Sequence, residues 1–110
     1  MSGIKPPKNL FDGQYPSEEL LDWIKGYDCC HEHKVSRLLK VVKKVWWGAT
    51  FLWFRGDDTP DGYRLTLLTG GWSGNEEIIA ALQGNWTFWP RYWESSERGG
   101  RHVFRFYIKG

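Results

Sequence analysis

The sequence predicts a single α+β domain, an antiparallel sheet of about four strands with helices packed on one face. Three observations lead there. The first half carries apolar residues at three- and four-residue spacing, the period of an amphipathic helix. From Gly48 onward come short segments rich in aromatic and β-branched residues, which suit half-buried strands. Glycine-rich clusters separate those segments, so neighbouring strands join as hairpins.

The elements follow in order. Residues 1–16 hold three prolines and two glycines and read as an irregular arm, and the domain occupies 17–110. Ser17 caps a first helix, whose opening glutamates Glu18 and Glu19 suit the positive end of the helix dipole. Leu20, Leu21, Trp23 and Ile24 form its apolar side, and Gly26 ends it. Asp28 is the expected cap of a second helix reaching about Lys44, with Val35, Leu38, Leu39, Val42 and Trp46 facing inward. Strands are expected at 50–55 and 63–68 around a turn cluster at 56–62, then a short helix at about 74–83 stopped by Gly84. A third strand is expected at 86–93, where Pro90 implies an edge or a bulge. After a turn at 97–100, the last strand alternates: His102, Phe104, Phe106 and Ile108 face one way, Arg101, Val103, Arg105, Tyr107 and Lys109 the other.

Composition excludes several classes. With 41% apolar and 25% charged residues in 110, the chain is neither disordered nor too short for one core. No apolar run approaches the roughly 20 residues of a membrane span, and the first residues lack the apolar stretch of a signal peptide. A cytoplasmic protein with reduced thiols is expected. Cys29-Cys30-His31-Glu32-His33 has zinc-ligand residue types but not zinc-ligand spacing, and no second cysteine cluster exists. Neither a metal nor a cofactor is expected. Net charge is +2, yet residues 34–55 carry six basic groups and no acidic one. Such a segment makes a basic face on a nearly neutral protein. Arg37, Lys40, Lys43 and Lys44 on the second helix are its candidate contacts for nucleic acid.

Two polar clusters are the candidate site. In Thr69-Gly70-Gly71-Trp72-Ser73-Gly74-Asn75-Glu76, three glycines and four polar residues surround one tryptophan between a strand and a helix. Ser73 and Glu76 fit a capping box. The same helix start, flanked by glycines, can also receive an anion. The second cluster spans 93–102 and includes Trp93, Arg98 and His102. If the two meet at one sheet edge, Gly71, Trp72, Ser73, Asn75, Glu76, Trp93, Arg98 and His102 line a pocket for a planar ligand. No nucleophile, base and charge stabiliser assemble from the sequence, although Glu76 and His102 are its one available acid/base pair.

Residues 68–79, together with Phe88, Trp89, Trp93 and the 96–102 run Ser-Glu-Arg-Gly-Gly-Arg-His, resemble a family of small bacteriophage and prophage proteins. The resemblance covers roughly residues 46–108, and here Arg101 intervenes between the glycine pair and the histidine. It implies a phage gene expressed in the host cytoplasm, and an accessory binding protein that modulates host functions. Counter-defence through a nucleotide-like ligand or a host protein is the form it suggests. A small hydrolase of nucleotides or nucleic acid, or a nucleic-acid module built on the basic helix, is the alternative.

Overall fold

The computed structural model describes residues 5–55 and 62–107. Residues 56–61 of the turn cluster expected at 56–62, and Ile108 and Lys109 of the expected last strand, lie outside the described residues. The chain opens with a small antiparallel hairpin, β1 (Phe11–Asp12) and β2 (Tyr15–Pro16), turned at Gly13 with φ +67°. The arm is therefore ordered where Gly13 and Gln14 supply a tight turn. Helix α1 (Glu18–Gly26) starts as expected, with Ser17 Oγ accepting from the Leu20 amide at 3.1 Å. Ser17 Oγ also donates to Asn9 O at 2.6 Å, which pins the arm to the helix start.

Helix α2 (Glu32–Val45) departs from expectation at its cap. Its N-cap residue is His31, with no side-chain cap bond. Asp28 instead accepts from the amide of Cys30, two residues on, at 3.1 Å, an Asx turn that competes with capping. At the far end, the Trp46 ring nitrogen donates to Thr50 Oγ1 at 2.8 Å, and that hydroxyl donates to Leu68 O at 2.8 Å. This relay fixes the start of β3 (Phe51–Arg55) against the end of β4 (Gly62–Leu68) and holds α2 beside them.

Helix α3 (Ser73–Gln83) follows, then a four-residue helix α4 (Trp89–Tyr92), and a hairpin of β5 (Trp93–Glu97) and β6 (Arg101–Tyr107). The sheet order is β3-β4-β6-β5, antiparallel throughout. Leu65 and Leu67 of β4 and Phe104 and Phe106 of β6 share one face and join a single core with Leu20, Ile24, Leu38, Val42, Ile78, Leu82 and Phe88 of the helical layer. Val103, on the opposite face, is buried but lies outside that core. The helices thus cover one face, as the alternation along β6 implies. No helix among the described residues is long and apolar enough to cross a membrane.

The expected strand at 86–93 is not one. Residues 85–88 turn, α4 follows, and pairing with β6 begins only at Trp93. Asn85 is the cause. It is buried, and its Oδ1 accepts from the amides of Thr87 and Phe88, both at 3.0 Å. These bonds wind the chain into a helical turn where a strand would extend it. Pro90 falls in the first turn of α4, where its missing N–H leaves no bond unmade.

The same asparagine reaches across the fold. Its Nδ2 donates to Ile24 O at 2.7 Å and Tyr27 O at 2.8 Å, so it satisfies an orphan carbonyl at the end of α1. Asn85→Ala leaves buried donors and acceptors without these partners, and a loss of about 3 kcal/mol is expected. In urea denaturation the midpoint should fall with an unchanged slope. A variant as stable as the parent would show that water or neighbouring groups replace the amide.

Candidate functional site

The glycine-rich joint is built for turning. Gly70 and Gly71 have φ of +62° and +74°, and the Trp72 amide donates to Thr69 O at 3.0 Å. Two consecutive positive φ values at the centre of a turn favour glycine at both positions. Trp72 then folds back on the chain. Tyr15 stacks on its ring at 5.1 Å and 6°, and Trp47 packs against it at 5.3 Å and 31°. A Cβ on Gly74 would stand 2.5 Å from the Trp72 ring nitrogen. Gly74 is glycine because that ring lies over it.

Asn75 is buried, and its side chain is fully engaged. Oδ1 accepts from the Trp47 amide at 3.0 Å, while Nδ2 donates to Trp47 O at 3.0 Å and Thr69 O at 3.3 Å. The residue clamps the α2–β3 link to the start of α3 and presents no amide to a ligand. Ser73 makes no cap: the N-cap residue is Trp72, without a side-chain bond, and Ser73 is the exposed first residue of α3. The expected capping box is replaced by packing of the Trp72 ring. Glu76 is exposed in the first turn, where its charge suits the dipole.

The second cluster is a separate relay. The Trp93 ring nitrogen donates to Ser96 Oγ at 2.8 Å, and Ser96 Oγ lies 2.8 Å from His102 Nδ1. The hydroxyl has one proton and two lone pairs, so after receiving from Trp93 it pairs with either tautomer of His102. Trp89 stacks on Trp93 at 6.0 Å and meets His102 edge-on at 6.1 Å. Burial lowers the His102 pKa below its ordinary value by penalising the imidazolium. Arg98 is exposed at the hairpin turn, beside Gly99 and Gly100 with φ of +85° and +83°.

The two expected halves touch, and their side chains pack in separate groups. Contact runs through backbone: the Thr69 amide donates to Gly100 O at 3.0 Å, and a Cβ on Gly100 would overlap Thr69 Oγ1. The rings pack in two groups, Trp72 with Tyr15 and Trp47, Trp93 with Trp89 and His102. Glu76 and His102 share no hydrogen bond, since the histidine's polar partner is Ser96.

The CCHEH segment is docked to the fold by its backbone. The Cys29 amide donates to Thr87 Oγ1 at 2.9 Å, the Tyr92 hydroxyl to Cys29 O at 3.2 Å, and Arg91 to Cys30 O at 3.1 Å. Among the described residues, no group of at least three His, Cys, Asp or Glu side chains could hold a metal ion. Burial pushes the Cys29 thiol up to about 12, whereas Cys30 is exposed.

Two surface clefts lined by described residues bear on the site. One, of about 360 Å³, is lined by Arg91, Tyr92, Trp93, Glu94, Arg105 and Tyr107. Its carboxylate is committed, because Glu94 binds Arg105 at 3.0 Å and Arg64 at 3.4 Å. The other, of about 260 Å³, lies between α2 and edge strand β3 and is lined by Ser36, Leu39, Lys40, Lys43, Phe51 and Trp53. Among the described residues its lining has two lysines and no carboxylate. Arg37 and Lys44 are exposed beside it on α2. Trp53 is 38% exposed and is supported from the sheet by Tyr63, stacked at 5.2 Å, and Phe106 at 5.5 Å. The sequence points to the lysines and to aromatics near Arg55, and the structure identifies Phe51 and Trp53 as the rings that line the cleft. Their signal was the alternation of β3, which puts residues 51, 53 and 55 on the face toward α2.

Comparison with known proteins finds no matching family model, curated protein or solved structure.

The clamp and the absent cap give opposite expectations. Asn75→Ala should lose about 2 kcal/mol in thermal or urea unfolding, as an unmade set of buried bonds requires. Ser73→Ala should change stability by less than about 0.5 kcal/mol, as for other exposed sites. A larger loss at Ser73 would restore the capping box. The thiols make a second test: a disulfide-exchange dye should titrate one cysteine in the native protein at pH 8 and two after denaturation. Cys30→Ser should abolish the native reaction, and rapid labelling of both thiols would contradict the burial of Cys29.

Proposed function

We propose that this chain is a small binding protein whose working surface is the cleft between α2 and β3, and that its partner there is anionic. One observation carries the reading: Lys40 and Lys43 line the same cleft as an exposed tryptophan, with no carboxylate among the described lining residues. Lysine ammonium groups are mobile point charges suited to phosphate, and Arg37 and Lys44 extend the positive surface along the helix. The Trp72 and Arg98 region is a weaker candidate, because Asn75 is committed to backbone and the Trp72 ring to its aromatic neighbours. In the setting that the phage-protein resemblance implies, the partner belongs to the host or to a rival's defence, and the protein works in the host cytoplasm. Binding, not bond cleavage, is the proposed activity.

Binding of fluorescein-labelled polyphosphate, followed by anisotropy at low salt, tests the surface. Affinity should fall steeply as salt rises, because bound counterions are released. The double variant Lys40→Ala/Lys43→Ala should bind at least about tenfold more weakly, roughly 1.4 kcal/mol. Arg98→Ala should bind as the parent does. Absence of binding at low salt, or equal loss from Arg98→Ala, would overturn the assignment.

A further inference from the structure

Building on that reading of the α2–β3 cleft, we propose that its anionic partner is a single-stranded nucleic acid, with one base stacked on Trp53 while Lys40 and Lys43 hold the neighbouring phosphates. Three features of the cleft carry this.

The first is size. At about 260 Å³ the cleft falls just below the roughly 300–1,000 Å³ that encloses a whole small ligand. It houses one flat unit of something longer. The second is the run of cations. Arg37, Lys40, Lys43 and Lys44 extend over eight residues of α2, about 10 Å of helix at about 1.5 Å per residue. That length spans about two or three backbone phosphates at the spacing of a nucleic-acid strand. A lone phosphate would need less. The third is the mounting of Trp53. Tyr63 and Phe106 brace the ring from the sheet side, while its remaining exposure opens into the cleft beside the lysines. A ring held rigid and open beside cations is what sequence-tolerant base stacking uses.

The same geometry selects strand over duplex. A base reaches a ring set between a helix and a sheet edge only by presenting its face, and in a duplex that face is covered by neighbouring base pairs. An acidic peptide would satisfy the lysines but would gain no comparable stacking from Trp53. A second copy of this chain would bring its own Lys40 and Lys43 against these, which charge repulsion opposes.

The test compares four labelled probes by anisotropy at fixed low salt: a twelve-nucleotide oligothymidylate, polyphosphate of similar charge, a twelve-base-pair duplex and a polyglutamate peptide. The oligothymidylate should bind about tenfold or more tighter than polyphosphate, the margin expected of a single stacked base. Trp53→Leu should erase that margin and leave polyphosphate binding unchanged. Trp53→Phe should keep most of it, and melting curves of both variants confirm that they fold. Lys40→Ala/Lys43→Ala should flatten the salt dependence of oligothymidylate binding, by about 1.4 in logarithmic slope for two lost contacts. Equal binding of oligothymidylate and polyphosphate, tighter duplex or polyglutamate binding, or indifference to Trp53→Leu would each overturn the inference while the anionic cleft survived. Failure of every probe at low salt would overturn both.

Discussion

The fold turns on the buried side-chain amide of Asn85. Its Nδ2 holds Ile24 O and Tyr27 O, and its Oδ1 holds the amides of Thr87 and Phe88. Four backbone groups from three places in the chain are thereby tied to one small side chain. The bonds close the end of α1, set the direction in which the chain leaves α3, and drive Phe88 into the core, where it meets Phe104 and Phe106. A hydrophobic contact could bury Phe88 in several orientations. The amide leaves only one, because each of its bonds has a direction and an unmade bond in the core costs about 1–3 kcal/mol.

Asn75 does the same work at the other end of α3, clasping the Trp47 peptide and Thr69 O. The helix is thus held at both ends by asparagines that bond backbone outside it, and its apolar side only has to fill space. This arrangement accounts for the glycines. With the chain drawn in tightly around Asn75, Gly74 must make room for the Trp72 ring and Gly100 for Thr69. Thr69 Oγ1 is buried without a partner among the described residues, a cost of this close approach. In the cluster that reads in the sequence as a ligand site, the Asn75 amide is committed to backbone, while Ser73 and Glu76 stay exposed.

Periodic features were legible in the sequence and local hydrogen bonding was not. The apolar spacing of α1, α2 and α3, the Ser17 cap, the 97–100 turn and the alternation of β6 follow from patterns that repeat over many residues. Asp28, Ser73 and Asn85 each depend on one side chain choosing among several nearby amides, and tertiary packing makes that choice. Asp28 and Ser73 were read as caps; one forms a turn and the other is exposed. The strand expected at 86–93 failed for the same reason, since five aromatic residues outweighed the one asparagine that governs them. Asn85, two residues before Thr87 and five before Pro90, was the available signal for a turn and a helix start. In the candidate site, the basic residues of α2 were legible because charge follows the helical period. Their partners Phe51 and Trp53 required knowing which edge of the sheet the helix covers.

That edge has its own physical logic. Strand β3 borders the sheet on the α2 side, and an uncovered strand edge invites pairing with another chain. Lysines beside such an edge oppose a second copy, since two identical positive surfaces would have to meet. The same charges attract an anion, and a phosphate backbone is the kind of extended anion that cannot extend a sheet by backbone pairing. One placement of charge therefore excludes the partner the edge would otherwise select and admits a different one. In the reading proposed above, what turns protection into recognition is the exposed ring of Trp53, because keeping a strand edge solitary requires the lysines alone and gives no reason to leave a braced tryptophan open beside them.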